Sequence, residues 1–159
     1  LPVPVIARID GYTLGAGLEI AASCDLRAAS DRSTFGMPEV RVGIPSVIEA
    51  VLLPRLIGWG RTCELVLTGE TISAEKALEW GLIERLTTVE ALDATIEQWI
   101  GAVLASGPRA IRLQKSLMKT WESEPIDESI RASIETFTNA FDSDEPRRLM
   151  QTFLDRHRH

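Results

Sequence analysis

The most constraining stretch of this chain is its beginning. There an apolar, β-rich run over residues 3–9 meets Gly11 and then Gly15-Ala16-Gly17 before a short apolar helix from Leu18 to about Ser23. A run of this kind reads as a buried strand, and the glycine that follows it reads as a turn. Strand, tight turn and helix in that order imply an α/β layer. Cys24–Ala29 then reads as a second strand, and Thr34–Met37 as a third extended piece leading into Pro38.

Beyond Pro45 the pattern becomes helical. Val47, Ile48, Val51, Leu52 and Leu56 share one helical face that ends at Gly58 and Gly60, and residues 61–67 make a further short helix closed by Gly69. Ser73 is placed to cap a helix over Ala74–Trp80, with Glu75 in its first turn and Gly81 as its stop. A brief strand, Leu82–Leu86, precedes four helices: Val89–Ala105, Pro108–Glu122, Ile126–Phe141 and Pro146–Arg156. In the third of these, Ile126, Ile130, Ile134, Phe137 and Phe141 form an amphipathic stripe, which reads as a core or subunit-packing face.

With 159 residues, 45% of them hydrophobic and 25% charged, the chain can bury a core and has a soluble, globular composition. A formal net charge of -6 argues against broad neutralisation of nucleic-acid phosphates. No apolar run approaches the roughly 18 residues of a membrane span, and the start lacks the pattern of a signal peptide. Cys24 and Cys63 have no CxxC spacing, so both are expected to be reduced core residues of an intracellular protein. The only histidines, His157 and His159, lie at the end of the chain. A Ser-His-Asp triad, a Cys-His pair and a His-based zinc site are therefore set aside, and no metal is expected. Interior acid-base work falls to carboxylates, Tyr12, the lysines or backbone groups.

Three readings compete for Gly11 to Glu19. A dinucleotide fingerprint fails because Ile20 stands where a small residue is needed, and a phosphate loop fails because no Lys-Ser/Thr follows. Plain turn punctuation is the structural reading. The functional reading is that Gly15 and Gly17 let bare backbone meet a ligand at a helix N-terminus, making an oxyanion donor near Ala16 with Glu19 in the same first turn. Farther on, Pro38 and Pro45 flank Glu39, and Gly36 and Gly43 permit close turns, so that this second carboxylate is held in place. By itself, a loop glutamate would be ordinary surface.

Several ordered blocks then make the chain resemble the enoyl-CoA hydratase/isomerase (crotonase) family. They are Pro4-Val5-Ile6-Ala7-Arg8-Ile9-Asp10-Gly11-Tyr12 with Leu14-Gly15-Ala16-Gly17-Leu18-Glu19, then Cys24-Asp25-Leu26, then Phe35-Gly36-Met37-Pro38-Glu39-Val40-Arg41-Val42-Gly43, then Leu67–Ala74, then Ala77–Ile83. The resemblance runs through the whole chain and weakens in the terminal helices. It implies an α/β crotonase (ClpP/crotonase-like) fold of stacked ββα turns, with residues 1–105 as part of the core and 106–159 as a helical trimerisation region, assembled as a homotrimer or hexamer. It also implies that an amino-terminal half is absent here, one that would supply early strands, much of the coenzyme A pocket and a second oxyanion N–H.

The activity implied is that of an enoyl-CoA hydratase, a lyase of fatty-acid β-oxidation type, acting on an acyl-CoA thioester with no separate cofactor. Glu19 and Glu39, 20 residues apart, match the family's acid-base pair. Ala16 matches an oxyanion donor, and Gly15, Gly17, Pro38 and Gly43 fall at substrate positions. Phe137 and Arg156 match an aromatic and a basic residue near coenzyme A. Many hydratases follow the second glutamate with a proline and a run of glycines, whereas Gly43-Ile44-Pro45-Ser46-Val47-Ile48-Glu49 is shorter and bulkier. This segment would line the acyl pocket, and Glu49 reads either as an extra pocket acid or as a solvated helix residue. Isomerase, decarboxylase or thioester hydrolase chemistry therefore stays open, as does a truncated, non-catalytic paralogue. A cytoplasmic location is expected, with an organelle left open; the ending is not a Ser-Lys-Leu signal.

Overall fold

The computed structural model describes residues 1–156, and side chains through residue 155. It divides into two compact units, one from Val5 to Trp99 and one made of residues 1–4 with those from Ile100 onward.

The first unit begins with β1 (Ile6–Ile9) and β2 (Tyr12–Leu14), continues into α1 (Ala16–Ala22), and repeats the motif with β3 (Leu26–Ser30) and β4 (Thr34–Gly36). β1 pairs parallel with β3, placing Ile6 opposite Leu26, and β2 pairs parallel with β4, placing Tyr12 opposite Thr34. Each ββα turn thus stacks on the next in two three-stranded sheets, β1-β3-β6 and β2-β4-β5. This is the stacked architecture expected from the resemblance. β6 (Arg85–Thr87) adds to β3 in parallel, and β5 (Thr71–Ser73) adds to β4 antiparallel. β2 and β5 are three-residue strands that the apolar pattern does not announce, because their pairing partners lie far along the chain.

After a 3₁₀ segment at Pro38–Val42 and another at Ile48–Leu52 come α2 (Leu53–Ile57), α3 (Trp59–Thr68) and α4 (Ala74–Trp80). The single helix expected beyond Pro45 is therefore split, and its first turn is 3₁₀. Pro54 accounts for the change, since it sits comfortably in the first turn of α2 but not in a helix interior. Ser73 caps α4 as expected, its hydroxyl accepting from the Lys76 amide at 3.3 Å, and Gly81 ends it. Leu18, Phe35, Met37, Leu53, Leu65, Leu82 and Ile83 are almost wholly buried in one core between helices and sheets. Each such side chain contributes about 1.5–3 kcal/mol by leaving water. Cys24 and Cys63 depart from the core placement expected of them: both are only half-buried, Cys24 giving its thiol hydrogen to the Ile20 carbonyl at the end of α1.

Two polar clusters brace this unit. Arg27 is 4% exposed on β3 and donates to the carbonyls of Ala21, Cys24 and Leu82 and to Glu84, whose carboxylate also accepts from the Arg27 amide. At the end of β1, Asp10 accepts two bonds from Arg32, at 2.7 and 2.6 Å, and one from Ser30 at 2.7 Å. The Arg32 bonds first, and the Ser30 bond second, hold the Asp10 carboxyl at about 2, below its ordinary 3.8. A depressed carboxyl contributes stability that is present above pH 3.8 and is lost as pH falls through about 2. Acid unfolding of the Asp10→Asn protein is accordingly expected to be flatter across that window than that of the parent. Parallel curves would contradict the assignment.

In the second unit α5 (Leu92–Leu104), which crosses the boundary, leads to α6 (Pro108–Ser123), α7 (Ile126–Ala140) and α8 (Glu145–Arg156). α6 and α7 pack as a hairpin, with the Trp121 indole donating to Ser133 Oγ at 3.1 Å. The stripe on α7 is not core of this chain: Ile126, Ile130, Ile134, Phe137 and Phe141 are all exposed, Phe137 at 69%. No helix among the described residues is long and apolar enough to cross a membrane.

Candidate active site

The site assembles where α1 begins. Gly15 takes φ 52° and ψ -123°, a backbone state open to glycine, and ties β2 to β4 by donating to the Gly36 carbonyl at 3.0 Å. Its own carbonyl accepts from Leu18 at 2.8 Å and from Glu19 at 3.0 Å, closing the first turn. The amides of Ala16 and Gly17 therefore precede the helix ladder, and no side chain caps them. They form the positive end of α1.

Glu39 comes to this point from another element. Pro38 starts the 3₁₀ segment and Gly43 ends it in the left-handed region, with the Ile44 amide bonding the Glu39 carbonyl at 3.2 Å. The Glu39 carboxylate is thereby half-buried and lies against Gly15, so close that a Cβ on Gly15 would overlap Oε1. The other oxygen, Oε2, accepts from Ser46 Oγ at 3.0 Å.

Glu19 sits one turn into α1 and is only 7% exposed. Helical side chains lean toward the N-terminus and cover residues three and four positions earlier, which here are Ala16 and Gly15. Both carboxylates are thus directed to the same helix start. Among the described residues no ion pair or side-chain hydrogen bond engages the Glu19 carboxylate. A carboxylate on so little-exposed a residue, without a fixed partner, is a candidate for acid-base work.

Of the residues expected to meet at a site, the structure sets Glu39 against Gly15 at the start of α1, the helix that also carries Ala16 and Glu19, while Pro38 and Gly43 bound the 3₁₀ segment that holds Glu39. Gly17 also lines a cleft of about 440 Å³ that runs along β1 and α1 past Ile6, Ile9, Tyr12 and Ile20 and includes neither glutamate. Glu49 is exposed in the first turn of its 3₁₀ segment, the solvated alternative of the two open to it. Phe137 belongs to the other unit, where it packs edge-on against Phe141 at 5.4 Å, and Arg156 ends α8 with its side chain outside the described residues. No group of three or more metal-ligating side chains occurs among the described residues. Ser46 is the residue that sequence reasoning overlooked, because a serine seven positions after Glu39 has no periodicity to betray it.

The geometry predicts a simple probe. Gly15→Ala places a methyl group where Glu39 Oε1 lies and forces alanine into a positive-φ state that side chains rarely adopt, a strain of about 1–3 kcal/mol. Turnover is expected to fall at least about tenfold, as small misplacements of catalytic groups do, while the folded state persists. A Gly15→Ala protein with parental kcat would refute the close approach.

The stacked ββα core, with the Glu39 carboxylate set on a glycine helix start, points to a class of protein, and comparison with known proteins identifies the family. The family model for enoyl-CoA hydratase/isomerase matches residues 1–159. The chain belongs to that enoyl-CoA hydratase/isomerase family. It is 33% identical over 157 residues to the short-chain-enoyl-CoA hydratase of Clostridium acetobutylicum, covering 98% of this chain and 60% of that protein. It is also 33% identical over 154 residues to the crotonyl-CoA hydratase of Syntrophomonas wolfei, covering 96% and 59%. A crystal structure of enoyl-CoA hydratase from Mycobacterium smegmatis superposes with a TM-score of 0.94 at 29% identity, covering 99% of this chain and 62% of that one. The chain therefore spans about 60% of the length of the curated relatives it matches.

Proposed function

We propose that the protein carrying this chain is an enoyl-CoA hydratase that adds water to a trans-2-enoyl-CoA thioester, with Glu19 and Glu39 as its acid-base pair. The observation that supports this reading best is that the Glu39 carboxylate lies against Gly15, at the start of the same helix that carries the little-exposed Glu19 in its first turn. The names of relatives at 33% identity point the same way.

In this mechanism one glutamate, as carboxylate, and the other, as carboxylic acid, hold one water between them. One takes a proton from it as the water oxygen bonds to Cβ of the enoyl group. The π electrons of the C=C bond shift toward the thioester carbonyl, and the resulting enolate oxygen is met by the Ala16 N–H. The other carboxyl then delivers a proton to Cα, so that one water is consumed and both glutamates are restored after proton exchange. Removing a donor such as Ala16 N–H from an enolate costs about 3 kcal/mol in comparable oxyanion sites. Gly15, Gly17, Pro38 and Gly43 act by shape, leaving room for substrate. Phe137 and Arg156 contact coenzyme A, and the exposed stripe on α7 packs between subunits of a trimer or hexamer, since monomers rarely leave so large an apolar surface bare. Coenzyme A enters as part of the substrate, with no separate cofactor.

The bulky loop from Gly43 to Val51, in which Ile44, Val47, Ile48 and Val51 are exposed, favours a second reading within the same enzyme class. Isomerisation, decarboxylation or thioester hydrolysis would use the same enolate stabilisation with different proton delivery. Incubation of the complete gene product with a panel of acyl-CoA thioesters in ¹⁸O water separates these. Hydration places the label on Cβ of the product; label in a free acid, or none at all, would transfer the assignment to the second reading.

A further inference from the structure

We infer that Ser46 is a positioning residue for Glu39, assigning Oε1 as the oxygen that exchanges the proton. This rests on Glu39 being one of the two acid-base carboxylates. The Ser46 hydroxyl donates to Oε2 at 3.0 Å, so that oxygen is engaged as an acceptor from the loop side. Oε1 is the atom lying against Gly15, at the start of α1 and next to the Ala16 amide. With Oε2 held, any proton on Glu39 sits on Oε1, facing the place where the thioester reacts.

The local backbone keeps Ser46 in that role. Pro45 restricts the residue before it, Val47 is extended, and Ile48 lies at φ 50°. A β-branched residue in the left-handed region is a true outlier, tolerated where the surrounding structure imposes it. This distorted turn brings the chain back toward Glu39 and places a hydroxyl, half-buried, on its carboxylate. A glycine or alanine at position 46 would leave Glu39 free to change rotamer while still fitting beside Gly15.

The test uses Ser46→Ala, Ser46→Thr and Glu39→Gln in the complete gene product, each assayed for crotonyl-CoA hydration and thermal unfolding. Small misplacements of a catalytic group cost about tenfold or more, so Ser46→Ala is expected to lower kcat about tenfold with KM and Tm close to the parent. Ser46→Thr, which keeps the donor, is expected to recover most of that loss. Parental kcat in Ser46→Ala, a loss confined to KM or matched by a fall in Tm, or a threonine protein as slow as the alanine one would each overturn the inference. Full activity in Glu39→Gln would instead sink the proposed function itself, whereas an inactive Glu39→Gln beside a fully active Ser46→Ala sinks only the role of Ser46.

Discussion

Replacing Glu39 by glutamine is expected to lower kcat for hydration of crotonyl-CoA by about a thousandfold, within the 10²–10⁴ range of positioned general acid-base groups. Glutamine has the size and shape of glutamate, so it fits against Gly15 and still offers an acceptor to Ser46. What it lacks is a carboxyl that can bind and release a proton at the reacting carbon. Glu19→Gln should have an effect of similar size, because the pair acts on one water and neither member can do both transfers. Groups that work as a unit are strongly non-additive, so the double variant should be little slower than either single one. Loss of the ultraviolet absorbance of the conjugated thioester gives the rates directly. Unchanged turnover in both single variants would sink the two-glutamate mechanism.

The second large effect concerns stability. Arg27→Met is expected to destabilise the folded protein by about 3 kcal/mol, the low end of what breaking a buried ion pair costs. The guanidinium of Arg27 joins the end of α1, strand β3 and the segment leading to β6, through three carbonyls and Glu84. Methionine fills much of the volume but removes the guanidinium donor from the Ala21, Cys24 and Leu82 carbonyls, of which Ala21 keeps the Cys24 amide, and the Glu84 carboxylate is left with the Arg27 amide. Glu84 is one-third exposed on its side chain, and water there softens the loss, which is why the low end applies. Urea unfolding measures the change; a shift below about 1 kcal/mol would mean that the cluster is a surface ion pair in energetic terms. Because α1 carries Gly15, Ala16 and Glu19, partial loosening of its C-terminal end would also be visible as a fall in activity before global unfolding.

The two predictions probe different layers of information. Glycines at 11 and 15, the apolar run before them and the apolar helix after them made the first ββα turn readable, apart from β2. The proline and glycine breaks set the long helices α5 to α8 to within three residues at either end of what the sequence suggests. The short strands β2 and β5 escaped because three residues carry no period, and what makes them strands is pairing with β4, many residues away. The half-exposed cysteines escaped for a related reason: apolar neighbours in sequence do not reveal which face a residue takes. Glu19 and Glu39 were candidates because of where the glycines and prolines stand beside them. That Glu39 reaches Gly15 could not be read from spacing, since so long a stretch of chain permits any distance.

By itself, then, the sequence determined the kind of layer, the helix starts and stops, and the residue types available for chemistry: carboxylates and backbone amides, with no interior imidazole. Those properties depend on local torsional preference and on side-chain chemistry, which travel with each residue. Only the tertiary structure decided that the Glu39 carboxylate rests on a bare glycine, that Ser46 holds its far oxygen, and that Arg27 is the buried brace beneath α1. Each of these is a contact between elements distant in the chain. It exists because burial of one shared core forces the strands and the loop after Glu39 into a single register.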